Sequence, residues 1–180
     1  MVSPELHPLS PVTLVLGGAR SGKSLYAESL IESRGQGFYL ATATAGDDEM
    51  AARIDAHRAR RGHLWQTVEE PLDLVGALRR HARADRPILV DCLTLWLNNL
   101  MEAGRDTTAE TAALVAGLRD LPGAVVLVSN EVGGGIVPDN ALARAFADAT
   151  GSLNQAVAAA ADRVVLVVAG IPVPLKSETP

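Results

Sequence analysis

The chain has 180 residues, enough for one domain with a substantial core. Its net charge of −5 argues against a protein that coats nucleic acid and gives no reason to expect attraction to a membrane surface. Aromatic residues make up only 3% of a sequence that is 48% hydrophobic, so Ala, Val, Leu and Ile must build the core. The single cysteine, Cys92, excludes an internal disulfide and suits a reducing, cytoplasmic setting. No apolar run approaches the ~20 residues a membrane helix needs, so no membrane insertion is expected.

Residues 1–10 carry Pro4 and Pro8 with no cationic start, and read as a flexible tail rather than a signal peptide. Residues 11–175 read as a single nucleotide-binding catalytic domain, and 176–180 as a second tail. The apolar run Val12–Leu16 is a predicted buried strand. It runs into Gly17-Gly18-Ala19-Arg20-Ser21-Gly22-Lys23-Ser24, which fits G-x-x-x-x-G-K-[ST], and a predicted helix from Ser24 to Glu32 follows. A strand that delivers a glycine-bearing loop to a helix N-terminus is what a phosphate cradle requires, because inward-turned backbone N–H groups and the helix dipole both favour an oxyanion. Lys23 would then reach the β- and γ-phosphates, and the Ser24 hydroxyl would sit on Mg²⁺.

Further along, Phe38–Thr42 is a predicted strand and Thr42–Gly46 a small-residue loop. Asp47-Asp48-Glu49 opens a helical pattern through Met50, Ile54, His57 and Arg61, with its carboxylates where the helix dipole favours them; Gly62 ends it. Glu69-Glu70-Pro71 reads as a turn, and Leu72–Ala84 as a surface helix. Ile88–Asp91 is a buried strand, Leu93–Met101 and Thr107–Leu118 are helices, Ala124–Ser129 is an all-apolar strand, and Asn130–Asn140 is a loop with Gly133-Gly134-Gly135. A long alanine-rich helix, Ala141–Ala161, precedes a last strand, Arg163–Val168, and a proline-bearing tail. The alternation of strands and helices predicts an α/β fold, a mostly parallel sheet with helices on both faces.

Asp91, at the end of its strand, is placed either to hold Mg²⁺ of a bound nucleotide or to cap the helix that follows. His57 is either a nucleophile toward phosphorus or one histidine on a solvated helix face; the spacing does not choose between His57 and His63. Arg20, Arg58, Arg60 and Arg61 are available to neutralise phosphate charge or to solvate a surface. The Asn130 loop is either a close backbone approach to substrate or a flexible connection.

Taken in order, these pieces resemble the bifunctional adenosylcobinamide kinase / adenosylcobinamide-phosphate guanylyltransferase family of cobalamin biosynthesis. The resemblance rests on Gly17 to Ser24; Ala41-Thr42; Asp47-Asp48-Glu49-Met50 with Arg53-Ile54 and His57; Trp65 to Glu69; Asp91-Cys92-Leu93-Thr94; Ser129 to Gly133 with Gly135 to Pro138; and Asn154-Gln155 before Ala159 to Asp162. It implies a RecA-like P-loop NTPase fold, phosphorylation of adenosylcobinamide by ATP or GTP, and transfer of GMP from GTP through a guanylylated histidine, which by position is His57. It also implies nucleotide contacts at Gly17, Gly18, Ala19, Arg20, Ser21, Gly22, Lys23, Ser24, Thr42, Ala43, Thr44, Arg58, Ala59, Arg60, Arg61, Glu69 and Asp91, a metal at Ser24 and Asp91, and a homotrimer. Two positions depart from the usual pattern: Gly134 stands where methionine is common, and Gly62 where proline is common. A P-loop kinase with no covalent step would have no use for His57, and a GTP-binding regulatory module would turn over no corrinoid.

Overall fold

The computed structural model describes residues 9–44 and 62–177. The elements are β1 (Val12–Gly17), α1 (Lys23–Glu32), β2 (Gly37–Ala41), β3 (Trp65–Glu69), α2 (Leu74–His81), β4 (Ile88–Asp91), α3 (Leu93–Glu102), α4 (Thr107–Leu118), β5 (Val125–Asn130), α5 (Ala141–Ala160), β6 (Arg163–Val168) and β7 (Ile171–Lys176). The predicted helix through His57 lies outside the described residues. The strands form one sheet in the order β3-β2-β4-β5-β1-β6-β7. All neighbouring pairs are parallel except β6 with β7, which are antiparallel.

The central strands read as continuous apolar runs because both faces of the sheet are covered. Alternate side chains go to opposite faces. Leu14, Leu16, Val90 and Leu127 join Trp96, Leu114 and Leu153 in a core against α2 to α5. Val15, Tyr39, Leu89, Val126 and Val128 join Ala27 and Ile31 of α1 in the core on the other face. Trp96 is fully buried, and its indole N–H donates to the Leu72 carbonyl at 2.9 Å, so a large apolar body is buried without leaving its one donor unpaired.

Three segments differ from the sequence reading. The helix expected over Leu72–Ala84 is confined to Leu74–His81. Its start is set by Asp73, whose carboxylate accepts from the Gly76 N–H at 3.0 Å, and Ala82 is already extended. Trp65–Glu69, to which the sequence reading gave no element ahead of the Glu69-Glu70-Pro71 turn, is a strand, and Ile171–Lys176 is a strand inside the expected proline-bearing tail. Both are edge strands, exposed along much of their length, so they lack the apolar run that marks a strand buried on two faces. Pro172 and Pro174 pair with Val167 and Val165. Lys176 closes the hairpin over the end of α5, where its ammonium donates to the carbonyls of Ala158, Ala159 and Ala161, the acceptors a helix C-terminus leaves unpaired.

Candidate active site

The parallel strands all end along one edge, and in such sheets ligands bind outside those carboxyl ends. At Gly17 the chain leaves β1. A Cβ there would collide with the Ser21 hydroxyl and the Val167 carbonyl, so only glycine lets the loop fold this tightly. The loop closes with the Ser21 N–H on the Gly18 carbonyl at 3.2 Å and turns into α1 through Gly22, whose φ of 92° favours glycine. From below, the β6–β7 turn supports it, with the Gly170 N–H donating to the Ser21 carbonyl at 2.8 Å. Gly22, at the N-cap of α1, has no side chain to cap the helix, and the Lys23 N–H reaches the Ser21 hydroxyl at 3.4 Å. The Lys23 ammonium bends back over the loop to the Gly18 carbonyl at 3.2 Å. Gly18, Ala19 and Arg20 are exposed, and Ser21, Gly22, Lys23 and Ser24 are half-buried.

Asp91 ends β4, separated from β1 by β5 alone. The Tyr39 hydroxyl donates to its Oδ2 at 2.6 Å, fixing the carboxylate from the neighbouring strand. The following residue, Cys92, is buried, and burial pushes its thiol up to about 12 from 9.0. The Asp91 carboxylate pushes the same way, and Lys23 is near enough to oppose it.

Thr42 is fully buried. Its hydroxyl donates to the Cys92 carbonyl at 2.7 Å and accepts from the Cys92 N–H at 2.9 Å, while its own carbonyl accepts from the Asn99 amide at 2.8 Å. Its side chain thus braces β2 against the chain leaving β4. Ala43 is half-buried and Thr44 exposed just beyond β2, and Glu69 is exposed at the end of β3. The structure does not bring Glu69 to the phosphate loop: β3 lies four strand spacings from β1, about 19 Å. His57, Arg58, Ala59, Arg60 and Arg61 lie outside the described residues. His63 is exposed in the turn before β3.

Three features were not found by sequence reasoning. Tyr39, the orienting partner of Asp91, sat unremarked in a predicted strand. Thr94 and Asn154 fall in the motifs that carry the family resemblance but had no role there. The Thr94 hydroxyl accepts the Asn130 N–H at 2.7 Å, and the Asn154 amide donates to the Asn130 carbonyl at 3.0 Å. The loop that follows is tied down at both ends, by the Gly133 N–H on Glu131 at 2.7 Å and by Arg144 on the carbonyls of Pro138 and Asp139.

A glycine cradle between a central strand and a helix, a lysine bent over it and a carboxylate two strands away together define a P-loop nucleotide-binding protein. Solved structures agree at the level of fold. A protein of Pyrococcus horikoshii OT3 superposes with a TM-score of 0.58 at 9% identity, over 97% of this chain and 90% of that one. The RadB recombinase gives 0.52 at 14% identity, over 88% and 74%. An ATPase of a bacterial type III secretion system gives 0.53 at 11%, over 88% and 51%. Within that class the chain belongs to the cobinamide kinase / cobinamide phosphate guanyltransferase family, whose profile matches residues 13–175. It is 52% identical to the bifunctional adenosylcobalamin biosynthesis protein CobP of Pseudomonas aeruginosa, over 92% of this chain and 97% of the relative. It is 44% identical to the CobU proteins of the same description from Escherichia coli K12 and Salmonella typhimurium LT2, over 91% of this chain and 98% of each.

Cys92 offers a direct check on this geometry. With its pKa raised from 9.0 to about 12, the folded state holds the proton more tightly than the unfolded chain. The stability this contributes is complete below pH 9 and is lost as pH rises from there toward 12. The native thiol should resist alkylation at pH 8 and react only when denaturant exposes it. Fast alkylation of the native protein at pH 8 would show that the end of β4 is open.

Proposed function

We infer that this chain carries out both reactions that name its family: phosphorylation of adenosylcobinamide by ATP or GTP, then transfer of GMP from GTP to the resulting phosphate, with release of pyrophosphate. The observation that carries the first half is the convergence of the Gly17–Ser24 loop, Lys23 and Asp91 at one edge of the sheet. In the kinase step the substrate hydroxyl attacks the terminal phosphorus, the bond to the leaving nucleoside diphosphate breaks, and the hydroxyl proton passes to solvent. Loop N–H groups and Lys23 position the phosphates and balance their charge, which supplies most of the catalysis of phosphoryl transfer. Ser24, in the cradle, and Asp91, two strands away at the same edge of the sheet, are half-buried hard oxygen donors and suit Mg²⁺, which needs only one or two protein ligands beside phosphates and water. When bound, the ion would neutralise charge on the phosphates.

For the second half, neutral His57 attacks the α-phosphorus of GTP and pyrophosphate leaves. A phosphate oxygen of the corrinoid then attacks the same phosphorus, the N–P bond breaks, and neutral imidazole is regenerated. In sequence His57 falls between β2 and β3, the strands whose ends carry Thr42, Ala43, Thr44 and Glu69, at the far side of Asp91 from the phosphate loop. That separation supports a nucleotide-contacting group distinct from the cradle, with Arg58, Ala59, Arg60 and Arg61 contributing to it. We read residues 11–175 as one catalytic domain acting in the cytoplasm. Among the described residues no helix is long and apolar enough to cross a membrane.

Lys23→Ala should lower kinase activity at least a hundredfold, on the order of 3 kcal/mol of transition-state stabilisation, and should impair GMP transfer as well. His57→Ala should abolish protein labelling by GTP carrying label in the α-phosphate while keeping much of the kinase activity, and His63→Ala should keep both. The label should be lost in acid and survive base, as a phosphoramidate does. Full labelling of the His57→Ala protein would assign the nucleophile elsewhere.

Asp91→Asn removes the charge and keeps the shape. The fold should survive, turnover should fall, and the Mg²⁺ concentration for half-maximal activity should rise. An unchanged Mg²⁺ dependence would leave Asp91 outside the metal site.

A homotrimer fits the exposed apolar row on β7, where Ile171, Val173 and Leu175 alternate along one face. Light scattering should give about three times the chain mass of 18.8 kDa, and a fully active monomer would refute the assembly.

A further inference from the structure

Beyond β5 the chain enters a loop, residues 131–140, at the same edge of the sheet as the phosphate cradle. The loop starts against the cradle itself, where the Glu131 N–H donates to the Gly17 carbonyl at 3.1 Å. It ends at Asn140, whose side chain caps α5 by accepting from the N–H groups of Leu142 and Ala143 at 2.8 and 3.3 Å. Between these fixed points it presents apolar side chains to water: Ile136 is 97% exposed and Val137 76%, and Leu142 at the start of α5 is 69% exposed. A cleft lies between the loop and the first two turns of α5, lined by Val132, Gly135, Ile136, Val137, Arg144 and Asp148. Single exposed apolar residues are ordinary, but a group of them on a loop tied down at both ends marks a surface that a ligand covers.

Gly134 and Gly135 bear on how that ligand approaches. The fold of a chain requires glycine where φ is left-handed or where a Cβ would collide, as at Gly22 and Gly17. Neither condition holds at these two positions. Neither has a left-handed φ, and a Cβ built on either would meet nothing within 4 Å. The packing of the chain therefore leaves both positions open to larger residues. Two bare glycines beside an apolar cleft let a body from outside lie directly on the backbone.

Charge narrows the choice of that body. Across residues 131–148 there are three carboxylates, Glu131, Asp139 and Asp148, and one cation, Arg144. The Arg144 guanidinium is engaged on the carbonyls of Pro138 and Asp139. An acidic, apolar surface repels a polyphosphate and attracts a cation with a broad apolar face. Adenosylcobinamide is such a ligand. It is a flat macrocycle fringed with methyl groups and neutral amide arms, and it is a cation because its trivalent cobalt outweighs the negative charges of the corrin and of the carbon bonded to the metal. Ile136 is five residues from Glu131, so it lies within about 18 Å of the root of the cradle, a span that a macrocycle with an extended side arm covers.

We propose that the 132–137 loop and the start of α5 hold the corrin ring of adenosylcobinamide, with Gly134 and Gly135 beneath its face and its aminopropanol arm directed to the cradle. The proposal rests on the kinase reading above and gives the acceptor substrate of that reaction its place. Ile136, Val137 and Leu142 lose water against the apolar face of the ring, and Asp148 accepts from its amide arms.

The test uses Gly135→Val, and separately the double substitution Ile136→Ser with Val137→Ser, in the full chain. None of these residues is buried, so both proteins should fold, as thermal melting will report. Binding of adenosylcobinamide, and of Mg²⁺ with a non-hydrolysable ATP analogue, is measured by calorimetry. The Kd for adenosylcobinamide should rise about tenfold in each variant, while the Kd for the analogue should change by less than about threefold. In turnover the KM for adenosylcobinamide should rise by a similar factor, with kcat falling less than about threefold, because the contacts are the same in ground and transition states. Wild-type affinity for adenosylcobinamide in both folded variants overturns the proposal. So does light scattering that shows the double variant split into smaller assemblies than wild type, which would assign the patch to a second copy of the chain. Wild-type protein that makes no cobinamide phosphate would refute the kinase reading instead; the binding comparison needs no turnover and decides the corrinoid surface by itself.

Discussion

β1 is hydrogen-bonded on both sides, and Gly17 is its last residue to pair with both neighbours, Asn130 on β5 and Val167 on β6. From that fixed point the backbone has to leave the sheet, reverse and enter α1 at Lys23. It can do so because no side chain stands between the Ser21 hydroxyl and the Val167 carbonyl. Among the described residues, the groups that could act on a phosphate are referenced to this departure. Lys23 and Ser24 come with the helix it starts, and Asp91 lies two strands away. Backbone N–H groups make a cradle only if the backbone cannot relax away from the ligand, and the two-sided pairing of Gly17 supplies that rigidity.

The strand order also sets the distances between the candidate groups. The P-loop strand sits toward one side of the sheet, and β2 and β3 sit toward the other with Asp91 between them. Thr42, just past the end of β2, and Glu69, at the end of β3, lie about three and four strand spacings from the cradle and border the same edge.

The central strands and the cradle were legible because burial on both faces leaves an unbroken apolar run and because a strand, a glycine loop and a helix in that order leave few alternatives. The edges were not. Trp65-Gln66-Thr67-Val68-Glu69 presents much of its surface to water, and the prolines at positions 172 and 174 argue against a strand when read locally; pairing with β2 and β6 decides both cases. The end of α2 was overrun because Ala82 and Arg83 are tolerable in a helix; the extended Ala82 and the bridge between Arg83 and Arg86 show that the chain has turned. At the site, residue type marked Lys23, Ser24 and Asp91, but the phenol of Tyr39 gains its meaning from register, because it reaches Asp91 only through the pairing of β2 with β4.

Pro172 and Pro174 have a consequence for how copies of the chain can meet. They are two residues apart, so their ring nitrogens point to the same side of β7. A proline cannot donate to the strand it pairs with, so that side is the outer one. The outer margin of the sheet therefore offers carbonyl acceptors without matching N–H donors. A second chain cannot be added there as a further strand, and the sheet cannot be propagated from molecule to molecule. Contacts through β7 are left to its side chains rather than to its backbone.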